Sequence, residues 1–223
     1  MSAAAAFDGM APAYDAQFGA NPIGLYFRHV VQEKARRAFP RGGRVLDLGC
    51  GTGEDALFLA SLGLDVVGVD PAPGMIERAR AKAVARGVAG VRFHVLAAED
   101  VGSLGGSFDG VFSNFGALNC AEVHGVGTAL GSVLRPGAPI VCSVIGRRPL
   151  PGLLQQALTA RPARSAEAPR IGGARVPCRA LSFREIREGL GAGFAWTGCA
   201  ALGVLVPAPA HEDWARRNPM AFG

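Results

Sequence analysis

The stretch RVLDLGCGTGEDALFLA, residues 44–60, sets Gly49, Gly51 and Gly53 between an apolar run and an amphipathic run. Glycine loses much conformational freedom on folding, so its repetition where a strand hands over to a helix marks backbone that something must approach closely. The helix N-terminus there offers free N–H groups, an arrangement suited to a nucleotide-like ligand. The charges refine that chemistry. A dinucleotide fingerprint GxGxxG requires glycine at position 54, but the residue is Glu54, and the pattern is D-x-G-x-G-x-G counted from Asp47. Two carboxylates, Asp47 and Glu54, repel a pyrophosphate and suit a ligand that carries positive charge. Seventeen residues past Gly53, Asp70 closes the next strand-like run, placed to accept hydrogen bonds from two ribose hydroxyls. The ligand these residues describe is a nucleoside with a cationic tail and no phosphate.

Positioning those residues requires strands alternating with helices, the signature of a parallel sheet with crossover helices. The pattern predicts strands near 44–49, 65–70, 91–96, 108–113 and 139–145, and helices near 54–62, 73–86 and 122–133. LRPG (134–137) forms the turn before the fifth strand. Residues 7–39 read as helical, with Phe18, Leu25, Phe27, Val30 and Val31 as the apolar set. The segment 147–181 is rich in Pro, Arg and Gly and reads as an insert after the fifth strand. A helix over 182–190 opens with SFRE, in which Ser182 caps and Glu185 reaches back. A long strand is expected over 194–206, and the tail PAPAHEDWARRNPMAFG reads as a short helix with no seventh strand after it. The sheet edge is then open to a partner chain, or a C-terminal piece is missing from this sequence. The expected fold class is α/β: a Rossmann-like, doubly wound, mostly parallel sheet with flanking helices, an N-terminal helical lid and the insert. Residues 1–223 form one domain in this reading, with lid 7–39, core 44–146, insert 147–181 and C-terminal part 182–223.

At 223 residues the chain is long enough for a sizeable core. No uncharged apolar run reaches the ~18 residues of a membrane helix, and the N-terminus shows no basic patch followed by an apolar stretch. Five cysteines, Cys50, Cys120, Cys142, Cys178 and Cys199, are scattered and form no CxxC pair. The expectation is reduced thiols in a cytoplasmic protein with neither disulfide framework nor metal site. The net charge of +5 rests on arginines, since Lys34 and Lys82 are the two lysines. Arginine density peaks over 147–187, which reads first as a solvated face and second as a surface for an anionic acceptor or a phosphate backbone.

Four blocks in this order, VLDLGCGTG, VVGVDPAPGMIERAR, FDGVFSNFGALN and LRPGAPIVCSV, resemble the class I S-adenosylmethionine (SAM) methyltransferases from about Phe7 to Pro207. FDGMAPAYD (7–15) is similar to the opening of the small-molecule members. The resemblance implies that Gly49, Gly51 and Gly53 lie under the methionine and ribose parts of SAM, with Cys50 packing inside the loop. It implies that Asp47 holds the amino group, Asp70 grips the ribose, and Pro71 and Met75 lie against the adenine. After the third strand, Ala97 stands where many members carry Asp, so Glu99, Asp100 or backbone alone meets the adenine amino group. The resemblance further implies that Ser113, Asn114 and Phe115 line the methyl-transfer channel and that Tyr14 closes over SAM.

Methyl transfer from a sulfonium is an in-line displacement that needs alignment and exclusion of water, with a base only for a protonated nucleophile. SNFG stands where base- and amide-methylating relatives carry (D/N)PPY, and no PC dipeptide stands at that position. Asn119 is the candidate for orienting an acceptor and His124 for a base; His29 is a weaker candidate, while His94 and His211 read as structural. The implied partner is a small-molecule acceptor handled by a monomer or homodimer, without membrane or nucleic acid. The alternatives are an RNA or other nucleic-acid methyltransferase, and a SAM-binding protein with little catalysis.

Overall fold

The computed structural model describes residues 2–15, 22–146, 170–171, 174–175, 178–200 and 202. Five parallel strands form the central sheet in the order β3-β2-β1-β4-β5: β1 (Arg44–Leu48), β2 (Asp65–Asp70), β3 (Val91–Val95), β4 (Gly110–Ser113) and β5 (Ile140–Cys142). The chain leaves β1 toward β2 and β3 on one side and returns to β4 and β5 on the other. That reversal opens a crevice at the carboxyl ends of β1 and β4, where ligands of doubly wound sheets bind.

Side-chain alternation along the strands builds two apolar layers. Val45, Val66, Phe93 and Phe112 face α2 (Pro22–Ala38), α3 (Glu54–Ser61) and α4 (Pro73–Ala85), packing on Val31, Ala35, Leu57, Ile76 and Ala79. Leu46, Leu48, Val67, Val69 and Val111 face α5 (Val123–Val133) and α6 (Phe183–Leu190), through Val126, Leu130, Val133, Ile186 and Leu190. The register pairs Asp47 with Gly68 and Phe112. Asp47 therefore sits near the carboxyl end of the central strand, among neighbours that are otherwise apolar.

The N-terminal segment is two helices. The first, α1 (Ala3–Tyr14), is capped by the Ser2 side chain and lies on α4, where Ala11, Ala72 and Met75 bury against Phe7 and Tyr14. Asp8 Oδ1 accepts the Gly74 N–H at 2.6 Å, and Arg78 donates to the Pro12 carbonyl at 2.6 Å. The capping box read in SFRE is present: Ser182 Oγ accepts the Glu185 N–H, and a Glu185 carboxylate oxygen accepts the Ser182 N–H at 2.8 Å.

Two expectations change, and the insert acquires detail. Residues 194–200 carry no strand; Phe194 and Trp196 pack on the α5–α6 layer as irregular chain, the Trp196 ring against Phe183 at 4.6 Å. The segment read as an insert contains a two-stranded antiparallel pair, β6 (Arg170–Ile171) with β7 (Ala174–Arg175). Cys120 and Cys178 are joined by a disulfide, Cα atoms 4.4 Å apart across 58 residues of chain, leaving Cys50, Cys142 and Cys199 free. Scattered spacing concealed that pair, because the fold and not the sequence brings the two residues together. Among the described residues, no helix is long and apolar enough to cross a membrane.

Candidate cofactor site

The glycine loop hangs on the end of β2. Gly49 and Cys50 N–H groups both donate to the Val69 carbonyl, at 2.8 and 3.0 Å, and Gly51 N–H donates to Asp70 Oδ2 at 3.0 Å. The glycines differ in what they permit. Gly49 (φ +68°) lies under the next loop, so a side chain there would stand 2.2 Å from the Ala117 Cβ. Gly51 (φ +52°) borders open space, with no atom within 4 Å of where a side chain would begin. Backbone at Gly51 is thus the part of the loop a ligand can approach, while Gly49 permits protein to pack on protein. Burial, then the charges of Asp47 and Asp70, pushes the Cys50 thiol well above its usual range, so it packs as a neutral group.

Three carboxylates converge on this loop. Asp47 is 1% exposed, and its Oδ2 is buried without a hydrogen-bond partner. Burial is the main reason its pKa stands well above the carboxylate range; Asp55 and Asp70 add to the rise and Arg28 opposes it. Asp70 Oδ1 accepts the Ala72 N–H at 2.9 Å, and burial outweighs its two backbone hydrogen bonds in raising its pKa. Each Asp70 oxygen keeps a lone pair for a further donor. Asp55, in the first turn of α3, accepts from Arg28 Nη1 at 2.6 Å, Gln32 Nε2 at 2.8 Å and Asn114 Nδ2 at 3.3 Å. Tyr14 belongs to the same cluster: burial raises its pKa most, Arg28 lowers it, and Asp70, Asp55 and Asp15 raise it. An orphaned carboxylate oxygen amid surplus negative charge is a receptor for a cation carrying N–H donors. The ammonium end of an amino acid fits it, and a phosphate does not.

Glu54 is not part of that receptor. It takes hydrogen bonds from Arg86 at 2.9 Å and an ion pair from Lys82 at 2.7 Å. Burial alone would raise its pKa, but these two partners hold it below the usual range. The sequence showed an acid beside the glycines; the fold supplies its counter-ions from α4.

The other anticipated residues divide. Asn114 (7% exposed) and Phe115 stand at the carboxyl end of β4, facing the cluster. Asn114 Oδ1 accepts from Phe115 N–H and from Ser143 Oγ. Phe115 is the one non-glycine described residue with positive φ (+53°), is 40% exposed, and lies under the Arg28 guanidinium at 4.8 Å. Strained backbone of this kind gathers at functional sites. Ser113 is buried and donates to the Leu48 carbonyl at 3.1 Å, so it stitches β4 to β1 and lines no channel. Pro71 is exposed beside Asp70, whereas Met75 (1% exposed) is sealed between α4 and α1.

Three other anticipated residues stand apart from this cluster. One Glu99 carboxylate oxygen accepts the Glu122 N–H at 2.6 Å, which ties the side chain to the start of α5. Asn119 donates to the carbonyls of Ile145 (2.9 Å) and Arg179 (2.7 Å) and accepts the Ile145 N–H (2.8 Å). At 3% exposure it is a buried splice between chain segments, with no donor left to orient an acceptor. His124 is exposed in the first turn of α5, its backbone N–H bonded to the Glu122 cap. Asp100 is exposed on the helical turn after β3, and His29 is exposed on α2. Arg28, Gln32 and Asp55 are the site residues that sequence reading passed over. Arg28 and Asp55 are 27 positions apart, and no local pattern links them.

The methyltransferase-domain family matches residues 45–137, which include the glycine loop, Asp55, Asp70 and Asn114. A ubiquinone biosynthesis O-methyltransferase of Cereibacter sphaeroides is 38% identical over 109 residues, 49% of this chain and 44% of that protein. The chain spans about half the length of the curated relatives it matches. A solved structure described as the conversion of a disulfide bond into a thioacetal group during echinomycin biosynthesis is 36% identical. It covers 80% of this chain and 75% of its own, with a TM-score of 0.55. Phosphoethanolamine N-methyltransferase 2 of Haemonchus contortus, solved with S-adenosyl-L-methionine, is 28% identical and covers 62% of this chain and 33% of its own, with a TM-score of 0.52. Sheet order, glycine loop, acidic receptor and this pattern of likeness agree: residues 45–137 are a methyltransferase domain of the class I, Rossmann-like kind.

Proposed function

We propose that the chain transfers a methyl group from S-adenosylmethionine to a small, largely apolar acceptor. The observation that carries this reading is the buried, partnerless Asp47 Oδ2 beside a glycine that borders open space. When bound, S-adenosylmethionine supplies a methyl group on a sulfonium, and the chain's task is to hold and align it in a dry site. Asp47 receives the amino group, Asp70 the ribose hydroxyls, and the backbone from Gly49 to Gly53 forms the floor, with Cys50 as its filling. Arg28, the cation beside Asp55, meets the carboxylate end. Pro71 borders the adenine, with Met75 as support beneath it and Asp100 as the nearby acid. Asn114 and Phe115 flank the methyl path, and α1 and α2 act as the lid, with Tyr14 at its inner face.

The apolar character of the acceptor is supported by Phe115 and Ile145, both large and more than a third exposed, with Ile145 lying against Gly116, the residue after Phe115. The relative named for ubiquinone biosynthesis is consistent with an acceptor of that character. The proposed acceptor lid over 147–181 and its leucines, Leu150, Leu153, Leu154 and Leu158, lie almost wholly outside the described residues.

The test is label transfer from trideuteromethyl S-adenosylmethionine into a cell extract divided into small-molecule, RNA and protein fractions. Label in apolar small molecules is expected. Label confined to RNA would replace this reading with the nucleic-acid one, and binding without transfer in any fraction would leave a non-catalytic SAM-binding protein.

A further inference from the structure

Lys82 is a lysine with an unusual position. It projects from α4 with 13% of its side chain exposed, and its Nζ meets oxygens from three separate segments. Asp15 Oδ2, just past the end of α1, lies at 2.9 Å; Glu54 Oε1, in the first turn of α3, at 2.7 Å; and Thr52 Oγ1, between two loop glycines, at 3.1 Å. Thr52 is 3% exposed and donates its own hydroxyl proton to Asp15 Oδ1 at 2.6 Å. The glycine loop and the end of the N-terminal segment are therefore cross-linked twice, directly through Thr52 and indirectly through one ammonium. Charge-assisted bonds in a half-buried setting are the stronger kind, and this ammonium has all three donors engaged. Tyr14, the next residue back from Asp15, is the one whose ring lies within the field of Asp70, Asp55 and Arg28.

We infer that Lys82 is a positioning residue that latches the end of α1 onto the glycine loop, and so governs how long the cofactor stays bound. Lys82 touches no ligand in this scheme. It acts through Asp15 and Thr52, which keep Tyr14 over the loop. The inference rests on the proposed identity of the loop as the cofactor floor. Opening the lid requires breaking the Lys82–Asp15 and Thr52–Asp15 bonds together, so the latch slows release more than it affects capture. Motions of lids commonly set the release step in enzymes of this kind.

The experiment follows the dissociation of S-adenosylhomocysteine from the full chain by rapid dilution and fluorescence, in wild type, Lys82→Met, Asp15→Asn, the double variant and Lys82→Arg. Each single neutralisation should raise the off-rate by about tenfold while the on-rate changes little, since most affinity differences between related complexes lie in dissociation. The double variant should release no faster than the faster single variant, because both substitutions break one latch. Lys82→Arg should recover most of the slow release. Thr52→Val, which keeps shape and loses the hydroxyl, gives the same readout if Lys82→Met fails to fold. A folded Lys82→Met that releases at the wild-type rate, or strictly multiplying effects in the double variant, would overturn the latch. Absence of S-adenosylhomocysteine binding to the wild type would instead overturn the cofactor reading on which it rests.

Discussion

The two sides of the crevice are built by different means. On the cofactor side, from β1 to α4, the site is made by backbone: glycines at positive φ, carbonyls at strand ends, and carboxylates at fixed places on strands. On the proposed acceptor side, among the described residues between Phe115 and Trp196, it is made by ties between distant segments. Asn119 splices Ile145 to Arg179, the Arg179 N–H returns to the Asn119 carbonyl at 2.7 Å, and Cys120 is bonded to Cys178. A ligand common to a whole family can be met by fixed backbone geometry. An acceptor peculiar to one enzyme calls for side chains that vary while the frame holds, and cross-ties allow that. Ala117 sits directly on Gly49, one of the points where the two sides touch.

That point is where the comparison breaks most severely. Gly49→Val combines a left-handed backbone, which costs an L-residue roughly 1–2 kcal/mol, with a collision against Ala117 that cannot be relieved without separating the two loops. We expect a loss of stability of about 4 kcal/mol or failure to fold, measured by urea denaturation. Gly51→Ala has the backbone penalty without the collision, so it should cost about 1 kcal/mol and act chiefly on cofactor affinity. Equal destabilisation by the two would erase the distinction between packing glycine and ligand-facing glycine.

The second expectation concerns the cross-tie. Replacing Cys120 and Cys178 together by Ala should cost about 2–4 kcal/mol of stability and leave SAM affinity unchanged, as judged by denaturation and calorimetry. The denatured wild type should show three reactive thiols, rising to five after reduction. Five thiols without reductant would restore the reduced-cysteine reading of the sequence.

These particulars explain how far the sequence could be read. Gly49, Gly51, Gly53, Asp47 and Asp70 announce themselves because strand, turn and helix follow one another within a short stretch, and local steric rules fix what each can do. The sheet order follows from the same alternation. Arg28 and Asp55 did not, since their contact depends on how α2 crosses α3. Asn119 misled because a polar amide beyond a strand end looks the same in sequence whether it faces a ligand or splices two chain segments. Glu54 misled for the matching reason that its counter-ions, Lys82 and Arg86, arrive from another helix. Residues 194–200 had strand-like composition, yet of these only Phe194 and Trp196 pack against the core, and among the described residues the stretch pairs with no strand.

A finer contrast lies within the carboxylates. Asp47 has a raised pKa, so the folded chain binds its proton more tightly than the unfolded chain, whose value is near 3.8. The stability tied to Asp47 is therefore full below that value and is lost as pH rises through the folded-state pKa. Asp47→Asn should flatten that decline in the ligand-free protein, measured as melting temperature against pH, while weakening SAM binding about tenfold or more. A variant that loses stability at neutral pH and keeps its affinity would show that Asp47 serves the frame and not the ligand. At the small end, His124→Ala should change stability and turnover by less than about 0.5 kcal/mol, as expected of an exposed residue outside the cluster.

The most direct test of the central claim, that this loop receives a cation-bearing nucleoside and not a phosphate, is calorimetric titration of the wild-type chain with S-adenosylmethionine, S-adenosylhomocysteine and NAD under one set of conditions. Heat of binding is predicted for the first two ligands and none for NAD. Binding of NAD with no heat from S-adenosylmethionine would contradict the account.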